Sequence, residues 1–76
     1  MIHARPDYDQ IQDPTGKIPA DEPVFLLRAQ DVTAAAVVRY WIDLNEKLGG
    51  DPALINMSRT HAAWMQAWDK RKLADA

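Results

Sequence analysis

The stretch Leu-Gly-Gly-Asp-Pro at residues 48–52 ends one predicted helix and begins another. Gly49 follows the last apolar residue of the first helix, where a left-handed residue commonly closes the final turn. Asp51 can accept hydrogen bonds from the free amide groups of the next helix, and Pro52 suits its first position. Because so short a connection makes the two helices close neighbours, the sequence predicts an antiparallel helical hairpin.

Apolar residues on both sides of this connection follow the spacing of a helix. We predict helices at about 32–48 and 52–72, each with one apolar stripe. The stripe of the first helix consists of Ala34, Val37, Trp41, Leu44 and Leu48. The stripe of the second helix, which has Trp64 on one flank, consists of Leu54, Met57, His61, Met65 and Trp68. A stripe of this kind usually faces a core.

The N-terminal part of the chain has a different composition. We predict an irregular arm over residues 1–23, followed by a helical domain over 24–76, because four of the five prolines precede Val24. Proline neither donates to a sheet nor fits inside a helix. The apolar run that begins at Val24 is compatible with a strand or a helical turn. Since a single strand lacks a pairing partner, we favour a short helix or an extended segment over 24–29, packed on the helices.

Length and composition limit how the fold can be stabilised. A chain of 76 residues forms one domain at most, and such a chain buries only about 60% of the surface exposed by its unfolded form. It contains no cysteine, so neither disulfides nor thiolate metal sites can stabilise it. Oligomerisation is the remaining way to bury more area. We therefore expect a homodimer in which two hairpins form a four-helix arrangement.

Charge and hydropathy argue against two kinds of partner. The net charge of −2, from nine basic and eleven acidic side chains, shows no excess of positive charge for binding nucleic acid. The first residues lack the apolar segment of a secretory signal, and no apolar run approaches the ~20 residues that span a bilayer. We expect a cytoplasmic protein that does not enter a membrane.

Three tryptophans are a heavy aromatic load for so short a chain. They can form the core, or they can anchor a contact with a partner, since Trp and Met are enriched at binding hot spots. Two amphipathic helices cannot enclose three indole rings from every side. The interface candidates are therefore Trp41, Met57, His61, Trp64, Met65 and Trp68.

His61 invites a chemical role, but its neighbours do not favour one. A helical metal site would need a second ligand three or four residues away, and those positions hold Met57, Ser58, Trp64 and Met65. Ser58 is the local nucleophile, and no Gly-rich turn or oxyanion motif accompanies it. We expect no catalytic residue, no metal and no cofactor, and hence not an enzyme. Instead, His61 is predicted to be at least half buried and hydrogen-bonded in a helix–helix contact.

A DNA-binding helix-turn-helix protein is the alternative function class. In that motif the second helix enters the major groove with polar and basic residues near its N-terminus. Here the corresponding residues are Asp51-Pro52-Ala53-Leu54, and the first cation is Arg59. The basic triplet at residues 70–72 lies at the other end, where a solvated helix terminus explains it equally well.

Two segments resemble known proteins. The stretch DPTGKIPADEPVFLLRAQD at residues 13–31, followed by a Trp-bearing helix and the ending AAWMQAW at 62–68, resembles small uncharacterised proteins of bacteriophage and prophage genomes. The resemblance implies a phage-encoded accessory protein in the cytoplasm of a bacterial host. Such proteins commonly bind a host or phage protein, and some inhibit bacterial defence systems. The expected function is thus that of a non-enzymatic protein–protein interaction module.

Overall fold

A computed structural model of the chain describes residues 2–3, 5, 13 and 15–75. Its regular elements, in chain order, are strand β1 (Ile2–His3), strand β2 (Pro23–Val24), helix α1 (Ala34–Lys47) and helix α2 (Pro52–Ala67). The regular structure is mostly helical, as predicted, and the two helices are in contact. Residues 6–12 of the predicted arm lie outside the described residues.

The connection between α1 and α2 has the predicted caps. Gly49 has a φ of 75°, and the N–H groups of Gly49 and Gly50 donate to carbonyl groups of the last turn of α1 at 3.2 and 2.7 Å. This pair of bonds is the Schellman ending of a helix. The Asp51 carboxylate accepts from the N–H groups two and three residues further on, at 2.8 and 3.3 Å. Both helix ends are therefore closed by local hydrogen bonds.

Two polar contacts show that the helices run in opposite directions. Arg39, in the first half of α1, donates to Gln66 near the end of α2. Arg59, in the first half of α2, forms an ion pair with Glu46 near the end of α1. Residues seven apart lie on the same face of a helix. Each helix thus contributes one polar row, and the two rows touch along one side of the hairpin.

The buried core is small. Among the described residues, the buried side chains are Ala34, Ala35, Ile42, Ile55, Ala62 and Met65. Val38 packs against both halves of this core, and Leu27 and Ala29 cover the end that contains Met65. Since half of the buried residues are alanines, the hairpin buries little large apolar surface of its own.

Most residues of the two predicted stripes lie outside the contact between the helices. In the α1 stripe only Ala34 is buried, and in the α2 stripe only Met65 is buried. The helices meet instead through a second, smaller stripe on each helix, formed by Ala35, Val38 and Ile42 on α1 and by Ile55, Ser58 and Ala62 on α2. Small side chains allow two helix axes to approach closely, and this favours the alanine-containing stripes at the contact.

Helix α2 ends five residues before its predicted end. Trp68 has extended backbone angles, and the chain then pairs with the loop that precedes α1. The N–H of Lys72 donates to the carbonyl of Gln30 at 2.8 Å, and the N–H of Val32 donates to the carbonyl of Lys72 at 2.9 Å. This long-range backbone pairing replaces the last helical turn, so the helix does not continue to residue 72.

The segment over residues 24–29 is extended rather than helical. Strand β2 pairs in parallel with β1, with Ile2 opposite Pro23 and His3 opposite Val24. The helical alternative is therefore wrong, because β1 supplies the strand partner that the sequence did not indicate. Packing of this segment on the helices is confirmed by Leu27 and Ala29, which contact the core.

Asp31 joins this segment to α1. Its carboxylate accepts hydrogen bonds from the hydroxyl and the N–H of Thr33 at 2.7 and 2.8 Å. The bond from the hydroxyl and then the bond from the N–H stabilise the ionised form, and they hold the pKa of Asp31 below its usual value. Asp31 thus closes the turn that leads into α1.

The burial of Ile42 predicts a strong effect of shortening it. Ile42→Ala removes a side chain that is 3% exposed, and it should lower the free energy of unfolding by about 2–5 kcal/mol. Tyr40→Ala, in the same helix, removes a side chain that is 66% exposed and should change the free energy by less than about 0.5 kcal/mol. Urea unfolding followed by circular dichroism measures both. Equal effects would contradict the assigned core.

The lowered pKa of Asp31 predicts a dependence of stability on pH. Its contribution is fully present above the unfolded pKa of about 4, and it is lost as the pH falls through the lower folded value. Asp31→Asn should therefore be less stable than the wild type at neutral pH, and the difference should shrink in acid. Urea unfolding at about pH 7 and pH 2.5 measures this, with Asp43→Asn as the control for loss of a surface carboxylate on α1. A difference that does not shrink in acid would contradict the role of Asp31.

Candidate functional site

The larger of the two apolar stripes on each helix is open to solvent. We name the following nine residues the apolar face: Val37, Trp41, Leu44, Leu48, Leu54, Met57, His61, Trp64 and Trp68. Four belong to the α1 side of the hairpin, and five to α2 and its C-terminal end. All nine residues are exposed in the single chain.

Both rows of the apolar face lie on the same side of the hairpin. On α1, the row and the pair Arg39 and Glu46 flank the buried stripe from opposite sides, as their helical spacing requires. On α2, the row and the pair Arg59 and Gln66 flank the buried stripe in the same way. Because these polar side chains contact each other across the helices, they share one side. The two apolar rows consequently share the other.

The apolar face is large for a protein of this size. Trp64 is 72% exposed, Met57 67% and Leu48 85%. With full areas of about 150–250 Å² for the largest side chains, the exposed fractions leave on the order of 1,000 Å² open in total. The largest apolar patch on a typical monomer is about 300–600 Å², and it is often functional. The size of the face therefore points to a contact surface.

One end of the apolar face forms a groove. Its volume is about 440 Å³, and its lining residues are Ala29, His61, Trp64, Met65, Ala67 and Trp68. The His61 ring meets the Trp64 ring edge to face, with centroids 6.0 Å apart and an angle of 64° between the planes. Except for the imidazole, the side chains that line the groove are apolar or aromatic.

The single chain does not contain the helix–helix contact that was predicted for His61. The residue is exposed, and within the described part of the chain no hydrogen bond to its side chain is found. Its ring contacts the ring of Trp64. His61 belongs to the larger stripe of α2, which faces solvent in the single chain, so its burial in a contact with another chain stays a prediction.

The other interface candidates divide into two groups. Trp41, Met57, Trp64 and Trp68 are exposed on the apolar face, whereas Met65 is 7% exposed and belongs to the core. Sequence reasoning missed Leu44, Leu48 and Leu54 as surface residues, because it placed their stripes in the core. The signal that could have found them is the second stripe on each helix, which contains Ala35, Val38 and Ile42 on α1 and Ile55 and Ala62 on α2.

Ser58, three residues before His61 on α2, has a hydroxyl group that is hydrogen-bonded to the backbone. The hydroxyl of Ser58 donates to the carbonyl of Leu54 at 2.8 Å, which directs it to its own helix. Among the described residues, no group of three or more His, Cys, Asp or Glu side chains could hold a metal ion. In the same part of the chain, no helix has the length and hydropathy needed to cross a membrane. What the arrangement offers chemically is an apolar contact surface.

Comparisons with protein-family models, with curated proteins and with solved structures find no match to this chain. A proposal for its function depends on its own residues and their arrangement.

Proposed function

We propose that the protein is a non-enzymatic protein–protein interaction module that binds another protein through the apolar face. The observation that carries this proposal is that Trp64, Trp68 and Met57 are exposed together on one side of a short hairpin. The exposed leucines of both helices lie on the same side. Trp and Met side chains supply much of the binding energy at protein interfaces, because they bury a large area in a defined pocket.

The shape of the groove supports a helical or extended partner segment. The groove is shallow and open to solvent, and it lies between α2 and the segment that contains Ala29. An amphipathic helix can place one or two apolar side chains in such a groove. The caps at both ends of the inter-helix connection hold α1 and α2 in place, so little ordering is required of the hairpin when it binds.

The nature of the partner follows from the resemblance to phage proteins. Residues 13–31 and 62–68 carry that resemblance, and it supports a partner that is a phage protein or a protein of the bacterial host. Binding would occur in the cytoplasm. The resemblance favours a bacterial defence protein as the partner. Binding would inhibit that partner, because it would cover the apolar surface that the partner uses for its own contacts.

A small DNA-binding regulator is the second candidate. The exposed basic residues Lys70 and Arg71, directly after α2, are the observation in its favour. At the other end of α2, the Asp51 carboxylate caps the helix that would have to enter the major groove. Arg59, the first cation of α2, is paired with Glu46. These contacts weigh against DNA as the ligand.

Affinity capture from a lysate of phage-infected bacteria tests the proposal. The immobilised protein should retain a specific protein, and Trp64→Lys should weaken retention about 30-fold or more, the effect of losing a hot-spot side chain worth about 2 kcal/mol. Ala63→Lys is the matched control, because it introduces the same charge at the neighbouring position outside the apolar face and should retain the protein.

The dependence on salt separates the two candidates. Contacts through apolar anchors should persist when the salt is raised from about 50 mM to about 500 mM, whereas binding to nucleic acid weakens steeply over this range. Recovery of nucleic acid alone, lost at high salt, would favour the DNA-binding regulator. If no captured protein depends on Trp64 for its retention, the proposed function is contradicted.

A further inference from the structure

We propose that a second copy of this chain covers the apolar face of the free protein, so that two hairpins related by a two-fold axis form a four-helix arrangement. The inference rests on the proposed function, because both take the apolar face to be a binding surface. Three observations support a second copy: the spacing of the apolar residues, the size of the open area, and the distribution of charge.

Each helix carries two apolar stripes rather than one. On α1, the buried stripe contains Val38 and Ile42, and the exposed row lies about 100° away around the helix. On α2, the exposed row lies at the corresponding angle from Ile55 and Ala62. A helix in a four-helix bundle has two neighbours at roughly a right angle, and it needs one apolar stripe for each. The single hairpin supplies only one of these neighbours.

The exposed rows have the spacing of helices that pack along their length. The α1 row lies at positions 37, 41, 44 and 48, and the α2 row lies at positions 54, 57, 61, 64 and 68. Alternating intervals of three and four residues place side chains in one seam, as in bundles and coiled coils. Both rows extend over the full helix, so the pattern matches a partner that is itself a pair of helices of similar length.

The open area is sufficient for a stable dimer. The apolar face exposes on the order of 1,000 Å² per chain, and a stable interface buries about 800 Å² on each partner. In the described part of the segment before α1, Leu27 and Ala29 cover one end of the hairpin. The hairpin's own core contains three alanines among its six described buried residues, so a second copy would add the burial of larger side chains.

The charge distribution favours a self-complementary contact. None of the nine residues of the apolar face is Asp, Glu, Lys or Arg, so two copies can meet without burying an unpaired charge. The polar rows, with the Arg59–Glu46 ion pair, lie on the opposite side of each hairpin and stay in solvent. A protein target of the apolar face would then have to exchange with one copy, so that dimerisation competes with target binding.

Sedimentation equilibrium of the wild type and three variants tests the dimer. Between about 1 and 100 µM, a range that detects micromolar dissociation constants, the wild type should approach twice the chain mass of 8.6 kDa. Met57→Lys and Trp64→Lys should remain monomeric over the same range, because association would bury the new charge. Ala63→Lys, on the same helix but outside the face, should dimerise like the wild type.

A second measurement covers the case in which a variant fails to fold. Circular dichroism should show the helix content of the wild type in both face variants, since Met57 and Trp64 are exposed in the single chain. If a variant unfolds, the melting temperature of the wild type at several protein concentrations tests the dimer instead. The melting temperature of a dimer that unfolds to monomers rises with protein concentration. A wild type that is monomeric throughout and melts at a constant temperature would overturn the dimer. Dissociation by Ala63→Lys equal to that by Trp64→Lys would also overturn it.

The outcome for the dimer is separable from that for the proposed function. A monomeric wild type that retains a target through Trp64 would refute only the dimer. A dimer that retains no protein from the lysate would refute only the target-binding function.

Discussion

Helices α1 and α2 meet through one stripe on each helix, in which alanines alternate with larger aliphatic residues, and this contact determines what the rest of the chain presents to solvent. Ala34 and Ala62 are completely buried, and helices lined by such residues can pack closely. The stripes that pair across the contact contain Val38 and Ile42 on α1 and Ile55 and Ala62 on α2, so the stripes that carry the indole and leucine side chains take little part in it. The bulky residues therefore lie on the adjacent faces of both helices, and the antiparallel arrangement brings them to one side.

Short-range and long-range hydrogen bonds then hold this contact in place. The Gly49 and Asp51 caps set the short connection at one end of the hairpin. At the other end, the backbone of Lys72 pairs with the loop on either side of Asp31. The chain before α1 and the chain after α2 are thereby joined, and the groove between Trp68 and Ala29 has two defined walls.

The local features of this fold could be predicted from the sequence, and the long-range ones could not. The connection at residues 48–52 was predictable because capping depends on residues within one helical turn. The end of α2 and the β1–β2 pair depend on partners distant in the chain, which periodicity does not reveal. The choice of contact stripe is also a tertiary effect, since each helix has two apolar stripes and periodicity alone does not say which one pairs.

The presence of two apolar stripes on each helix also explains why the interface candidates divide between the surface and the core. Aromatic and Met content indicated more bulk than two helices can enclose, and Trp41, Met57, Trp64 and Trp68 are exposed in the single chain. Met65 lies at the edge of its stripe next to the buried stripe of α2, so periodicity alone did not show that it belongs to the core. The stripes predicted from the sequence are present, but most of their residues face solvent in the single chain. Residues that would be core in a larger protein are here open to solvent in the single chain.

The central claim is that the three tryptophans lie on a contact surface that a single chain leaves open. Intrinsic tryptophan fluorescence reports on this surface directly, because Trp41, Trp64 and Trp68 all belong to the apolar face and the chain has no other tryptophan. Emission maximum and acrylamide quenching should be measured while the protein is diluted from about 100 µM to the nanomolar range. We predict shielded, blue-shifted emission at high concentration and red-shifted, readily quenched emission after dilution. Emission that stays blue-shifted and shielded at every concentration would contradict the claim, since the indole rings would then be enclosed by the single chain.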